Sequence, residues 1–261
     1  MTTSFGVCTE IDKLPQLAEA GFDYIELASY VFSLAEEAEF AFMRKELELS
    51  GIGCEACNFF YPPDFRVTGG NIDKEKIYAY IDKTVERAAL LGVQNITIGS
   101  GPARNVPEGY SKEDAAWQFG DQIHYAGELA AERGITITIE PIGPISTNLI
   151  NTLAEGAALA DYVNLPNVKS MADINQMKGA GDTIDMIYRY ADYIGHLHIL
   201  DVNKRCYPVD PDDAELIALV KAYHSANPGG RISVEGAPFT NLENAQQCLG
   251  ALKNYVLKAG E

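Results

Sequence analysis

Eight short stretches that read as β-strands recur along the chain, each followed by a helical pattern, at a spacing of roughly 30 residues. The strands are SFGVCTE, DYIELAS, GCEACNF, NITIGSG, ITITIEP, VKSMADI, GHLHILD and RISVEG. The helical patterns begin near Lys13, Ala35, Asp73, Ser111, Thr152, Asp182, Asp212 and Asn241. Ser111 opens a capping-box spacing, and Asp182 and Asp212 suit N-caps. Gly21, Gly51, Gly92 and Gly134 stand where left-handed C-caps are expected. Alternation of this kind implies a parallel sheet, because parallel neighbours need crossover connections. Eight units fill the 261 residues without a linker, a charge run or a low-complexity tract, so the reading is one α/β domain over 1–261, a closed (β/α)8 barrel. A doubly wound open sheet is the alternative. It lacks the GxGxxG that should follow its first strand.

In such a barrel the chemistry sits at the carboxyl ends of the strands. The fifth strand alternates Ile135, Ile137 and Ile139 with Thr136 and Thr138, and then ends on Glu140. An acid closing so apolar a strand is placed on the active rim. The next three strands follow suit: VKSMADI delivers Asp173, GHLHILD delivers His196 and His198 on one face, and RISVEG delivers Glu235. Three carboxylates side by side need a compensating charge, and a divalent cation supplies it. Mostly oxygen donors with one imidazole suit Mn²⁺, Mg²⁺ or Co²⁺, with Zn²⁺ as a further candidate.

Composition narrows the partners. The formal net charge of −17 opposes nucleic acid and anionic lipid surfaces, and weakly disfavours a strongly anionic substrate. No run nears the roughly 18 apolar residues of a membrane span, and MTTSFGVCTE lacks the pattern of a signal peptide, which predicts a cytoplasmic protein. Cys8, Cys54, Cys57, Cys206 and Cys248 are expected as reduced thiols. Cys54 and Cys57 have CxxC spacing, but no second pair completes a thiolate zinc site.

From GFDYIEL through ITIEP and GHLHILDVNK to ISVEG, the whole chain resembles the sugar isomerase/epimerase family with a xylose isomerase-like TIM barrel. That group includes ketose 3-epimerases, hydroxypyruvate isomerase and inosose dehydratase, and more distantly a DNA-repair nuclease. The resemblance implies Glu140, Asp173, His198 and Glu235 as ligands of a divalent metal, Mn²⁺ foremost, with the two glutamates doubling as acid and base. It implies a small sugar substrate, proton transfer through a metal-stabilised enediolate, and a homo-oligomer. The nuclease needs more histidines than the four present, and its substrate would face the acidic surface.

The sequence departs from the ketose 3-epimerase pattern around the metal set. Asn-Arg-x-Glu after the strand-five glutamate is here Gly143-Pro144-Ile145-Ser146, which puts Ser146 in place of a substrate-contacting carboxylate. The histidine of D-x-x-H after strand six is Gln176, and the arginine after the metal histidine is Lys204, followed by Arg205. Lysine is a poorer bidentate donor than arginine. Substrate, and even reaction, are therefore left open: an isomerase or epimerase first, a metal-dependent lyase or dehydratase on the same site second, a non-catalytic sugar-binding barrel third.

Other residues carry two readings each. His196 either lines the pocket, supports the metal shell or is hydrogen-bonded within the barrel. Trp117 is interhelical core or a sugar platform. The loop NFFYPPDFRVTGG, with Phe59, Tyr61 and Phe65, is a lid over the reaction or a subunit contact. Glu26 faces inward as half of an ion pair or as a substrate contact.

Overall fold

The computed structural model describes residues 3–260. The eight strands are β1 (Ser4–Cys8), β2 (Tyr24–Ala28), β3 (Gly53–Asn58), β4 (Asn95–Ile98), β5 (Thr136–Ile139), β6 (Val168–Asp173), β7 (Ile194–Ile199) and β8 (Arg231–Val234). Each pairs in parallel with the next, and β8 pairs with β1, so the sheet closes into a barrel. Among the described residues ten α-helices accompany them: α1 (Leu14–Ala20), α2 (Ser29–Leu34), α3 (Glu37–Ser50), α4 (Lys74–Leu91), α5 (Lys112–Ala131), α6 (Leu153–Val163), α7 (Ile174–Ala180), α8 (Asp185–Arg189), α9 (Ala214–Ala226) and α10 (Leu242–Ala259). The units after β2 and β6 hold two helices each where the sequence pattern suggested one. No helix among the described residues is long and apolar enough to cross a membrane.

The strand alternation sorts side chains as the sequence implies. Ile96, Ile98, Ile137, Ile139, Leu197, Ile199, Ile232 and Val234 are buried in the hydrophobic core. Their alternates point into a barrel that is polar and hydrogen-bonded within. Asn95 donates to Thr97 and Thr138, and those two hydroxyls lie 2.9 Å apart. Tyr24 fills the space beside β1, with its hydroxyl 2.7 Å from Ser233 Oγ. A Cβ at Gly6 would lie 2.1 Å from the Tyr24 ring, so only glycine fits opposite it.

Helix ends follow the caps in most places. Asp73, Ser111, Thr152 and Asn241 each accept a backbone N–H of the following turn, and Gly21, Gly51 and Gly92 close their helices in the left-handed region. Three expected caps differ: Gly134 is left-handed but stands two residues beyond Glu132, which caps α5. Asp213, not Asp212, caps α9, accepting from Glu215 and Leu216. Asp182 accepts from Leu153 N and ties two loops together, while Ile184 occupies the N-cap of α8. Its carboxylate finds a stronger use in a tertiary contact.

Candidate metal centre and acid–base site

β6 and β7 place two of the expected ligands in lateral register, Asp173 with His198, and on β8 His198 pairs with Ser233, two residues before Glu235. The register shifts between Ser170 and Ala172 against β7, an irregularity that brings Asp173 level with His198. Glu140 continues the β5 ladder, its N–H donating to Ile98 O. One ligand atom each from Glu140, Asp173, His198 and Glu235 falls within 4.8 Å of the others.

The backbone of β4 makes room for this cluster. A Cβ on Gly99 would sit 2.0 Å from Glu140 Oε2. Below it, the fully buried Arg104 donates to the carbonyls of Gly99, Glu140, Leu149 and Ile150. Burial pulls its guanidinium down to about 10, an effect that Glu140 opposes. Arg104 thus holds the main chain on both sides of the rim, a role the sequence pattern did not reveal because an arginine in the loop after β4 carries no periodic signal.

His198 lies among three carboxylates. Its Nδ1 lies 2.9 Å from Glu235 Oε2 and 3.8 Å from Asp173 Oδ2, while Nε2 lies 3.0 Å from Glu26 Oε1. Glu26, wholly buried, also receives His196 Nε2 at 3.0 Å and the Ser233 hydroxyl. Glu26 is therefore half of an ion pair. It fixes the histidine tautomer from behind, the arrangement that orients imidazole ligands in metal sites.

The electrostatics of the rim are those of crowded acids. Burial pushes Asp173 up to about 8, with Glu235 adding to the effect and His198 opposing it. Burial, with Glu235 and Asp173, also holds Glu140 well above the usual carboxylate range. Glu235 goes the other way, because His198 outweighs its burial. Burial raises Glu26 less than His198 and His196 lower it, so it stays ionised. Burial depresses His198, but Glu26, Cys8 and Glu235 together outweigh this and raise it well above the ordinary value. Three crowded carboxylates, of which Glu140 and Asp173 hold protons for want of positive charge, with one imidazole nitrogen aimed among them, are a donor set that fits a divalent cation. Cys8, Glu26 and His198 form a second such group among the described residues, but burial and Glu26 hold the Cys8 thiol protonated, so it is a poor ligand.

The family model described as xylose isomerase-like TIM barrel matches residues 14–253. The chain belongs to that family. It is similar to a D-psicose 3-epimerase from Agrobacterium fabrum, 28% identical over 203 residues, 74% of this chain and 68% of the relative. It is also similar to a 3-dehydro-D-guloside 4-epimerase from Escherichia coli, 25% identical over 117 residues, 44% of each chain. The crystal structure of a D-psicose 3-epimerase in the presence of D-fructose superposes with a TM-score of 0.83 at 20% identity, over 99% of this chain and 100% of that one. At that identity the likeness speaks for the fold alone. The homologues are sugar epimerases of one barrel family, named for different carbons of the sugar.

In this xylose isomerase-like barrel a cavity of about 750 Å³ opens over the rim, and Asp173, Glu235, Gln176, Arg205 and Phe59 line it. Gln176 also accepts from Gly143 N, which ties the loops after β5 and β6 together. The other expected substrate contacts lie outside that lining. His196 is buried on Glu26, deeper in the barrel. Tyr61 is packed edge-on against Phe60 and stacked on Phe65, with its hydroxyl on Gln122. Ser146 is exposed, and Lys204 is exposed and paired with Asp201. Trp117 is neither core nor platform to this cavity: it is 42% exposed and stands against Tyr162 on the outer helices. Sequence reasoning missed Asn58, the last residue of β3, which is buried at the cavity wall with no partner for its Nδ2.

Proposed function

We propose that this protein is a divalent-metal-dependent epimerase or isomerase of a sugar, with Glu140 and Glu235 as the proton-transferring pair. The observation that carries the reading is the convergence of Glu140, Asp173, His198 and Glu235 within 4.8 Å at the carboxyl end of the barrel. These four would hold the ion, with Mn²⁺ first and Mg²⁺, Co²⁺ or Zn²⁺ as alternatives. When bound, such an ion polarises a sugar carbonyl and its neighbouring hydroxyl and so acidifies the carbon-bound proton.

The remaining work belongs to the chain. Glu140 and Glu235 follow β5 and β8, three strands apart around the barrel, and so reach the substrate carbon from different sides. One carboxylate takes the proton as the C–H electron pair moves towards the carbonyl. The other carboxyl delivers a proton to the far face as that pair returns, which inverts the centre with no oxidant consumed. Delivery to the neighbouring carbon instead gives isomerisation. Glu26 and His196 keep His198 facing the rim. Phe59, Gln176 and Arg205 are the proposed substrate contacts, since they line the cavity. Tyr61 serves the reaction by anchoring the loop that carries Phe59.

The test is metal-dependent exchange of a carbon-bound substrate proton with solvent deuterium, followed by NMR. Exchange should require Mn²⁺ and be lost in Glu235→Gln and Glu140→Gln. No exchange on any ketose or keto-glycoside with Mn²⁺ present would overturn the reading. Exchange accompanied by loss of water, seen as a mass change, would assign the lyase instead.

A further inference from the structure

The cavity over the rim has two unlike sides. Asp173 and Glu235 come from the ends of β6 and β8, whereas the opposite side is built by the first three units, where Ile11, Tyr30, Val31, Met43 and Phe59 stand beside Glu10 and the His-paired Glu26. Val31 is 42% and Phe59 50% exposed, apolar groups left in water beside the polar centre. Phe59 has φ of 43°, a left-handed backbone that a bulky residue adopts only where the surroundings impose it. The strained backbone lies where Phe59 joins the cavity wall. At the end of β3, next to Phe59, stands the Asn58 amide, 2% exposed, whose Nδ2 lacks a partner. A buried donor left unpaired is costly, and an incoming oxygen acceptor would recover that cost.

Size and charge point the same way. At about 750 Å³ the cavity lies in the upper part of the roughly 300–1,000 Å³ range that holds drug-sized ligands, well beyond a single sugar ring. Arg205 is the one cation in the lining, against Glu10, Glu26, Asp173 and Glu235. Beyond an ion held at the rim, a phosphate dianion would find only Arg205 there to pair with.

We infer that the β1–β3 side is a subsite for an uncharged apolar substituent carried by the sugar, and that Asn58 donates to a sugar oxygen. The substrate class is then a neutral keto-glycoside with an apolar aglycone rather than a free or phosphorylated sugar. This inference rests on the function proposed above, and continuity with the acid rim identifies the occupant as part of the substrate.

The experiment compares solvent-deuterium exchange, with Mn²⁺-loaded protein, on phenyl 3-keto-β-D-glucoside, methyl 3-keto-β-D-glucoside, D-fructose and D-fructose 6-phosphate. The phenyl glycoside should exceed the methyl one at least ~10-fold in kcat/KM, the discrimination an apolar pocket gives for a group of this kind. Val31→Asp and Met43→Glu should each reduce that ratio at least ~10-fold, and Asn58→Ala should raise KM for both glycosides. Equal rates on phenyl and methyl glycosides, or preference for either fructose substrate, would overturn the inference while leaving the proton-transfer reading intact. If no sugar exchanges, the proton-transfer reading fails, and binding decides the subsite separately. Saturable thermal stabilisation by phenyl β-D-glucoside, lost in Val31→Asp, supports it, and none overturns it. A dimer that Val31→Asp dissociates, seen by light scattering, would assign the apolar side to a second copy of the chain and overturn the inference as well.

Discussion

Gly99 and Glu140 share one volume: a side chain on the first would lie 2.0 Å from a carboxylate oxygen of the second. Gly99 is absent from the positive-φ glycines, so alanine meets no backbone strain there, only the collision. Gly99→Ala should therefore displace the Glu140 carboxylate in a folded protein. Mn²⁺ affinity by calorimetry is expected to fall about 10–100-fold, the usual effect of disturbing a ligand's support. Unchanged affinity would show that Glu140 is not held where the rim needs it.

Glu26→Gln probes the layer behind the metal set. The substitution keeps the size but removes the charge that accepts from His196, His198 and Ser233. His198 should lose its fixed tautomer, and Mn²⁺ binding, followed by electron paramagnetic resonance, should weaken about 10–100-fold. Wild-type affinity in this variant would reduce Glu26 to a packing residue.

Arg104→Met tests how the rim backbone is held. Four carbonyls would lose their donor in a fully buried setting. The expected loss is about 3–5 kcal/mol in chemical denaturation, in line with removing one partner of a buried charged network. A change below about 1 kcal/mol would mean that water replaces the guanidinium.

The rim also predicts a pH dependence. Asp173 has a folded pKa of about 8 against an ordinary 3.8, so the metal-free native state holds a proton that the unfolded chain has released. Stability from this proton is complete below the ordinary value and is lost as pH rises towards about 8. Glu140 and His198, both raised, act in the same direction. His196 is lowered and acts oppositely, but only below its ordinary 6.5. The melting temperature of metal-free protein should fall between pH 6.5 and 8, and saturating Mn²⁺ should abolish the fall by replacing the protons. A flat or rising profile without metal would show that the acids are not crowded.

The substrate-facing side of the site was the part that residue patterns conveyed least. Gln176 and Arg205 do line the cavity, yet Lys204, directly before Arg205, faces solvent. Loop residues have no period that fixes their direction, so a motif position says which loop but not which way. Asn58 escaped notice for the same reason, since a strand-final asparagine looks like turn chemistry until its unpaired amide is seen at the cavity wall.

The barrel and the four rim residues could be read from the chain alone, because alternation along a strand assigns faces and the carboxyl end assigns the rim. That period is short-range, set by bond geometry, and survives without knowledge of any partner. What folding in three dimensions decided was convergence. The shift in β6–β7 register that levels Asp173 with His198 depends on contacts between residues distant in sequence. So do the Glu26 brace across the barrel and the clearance at Gly99. The apolar half of the cavity belongs with them, since no local pattern along the chain records which loops meet above the sheet.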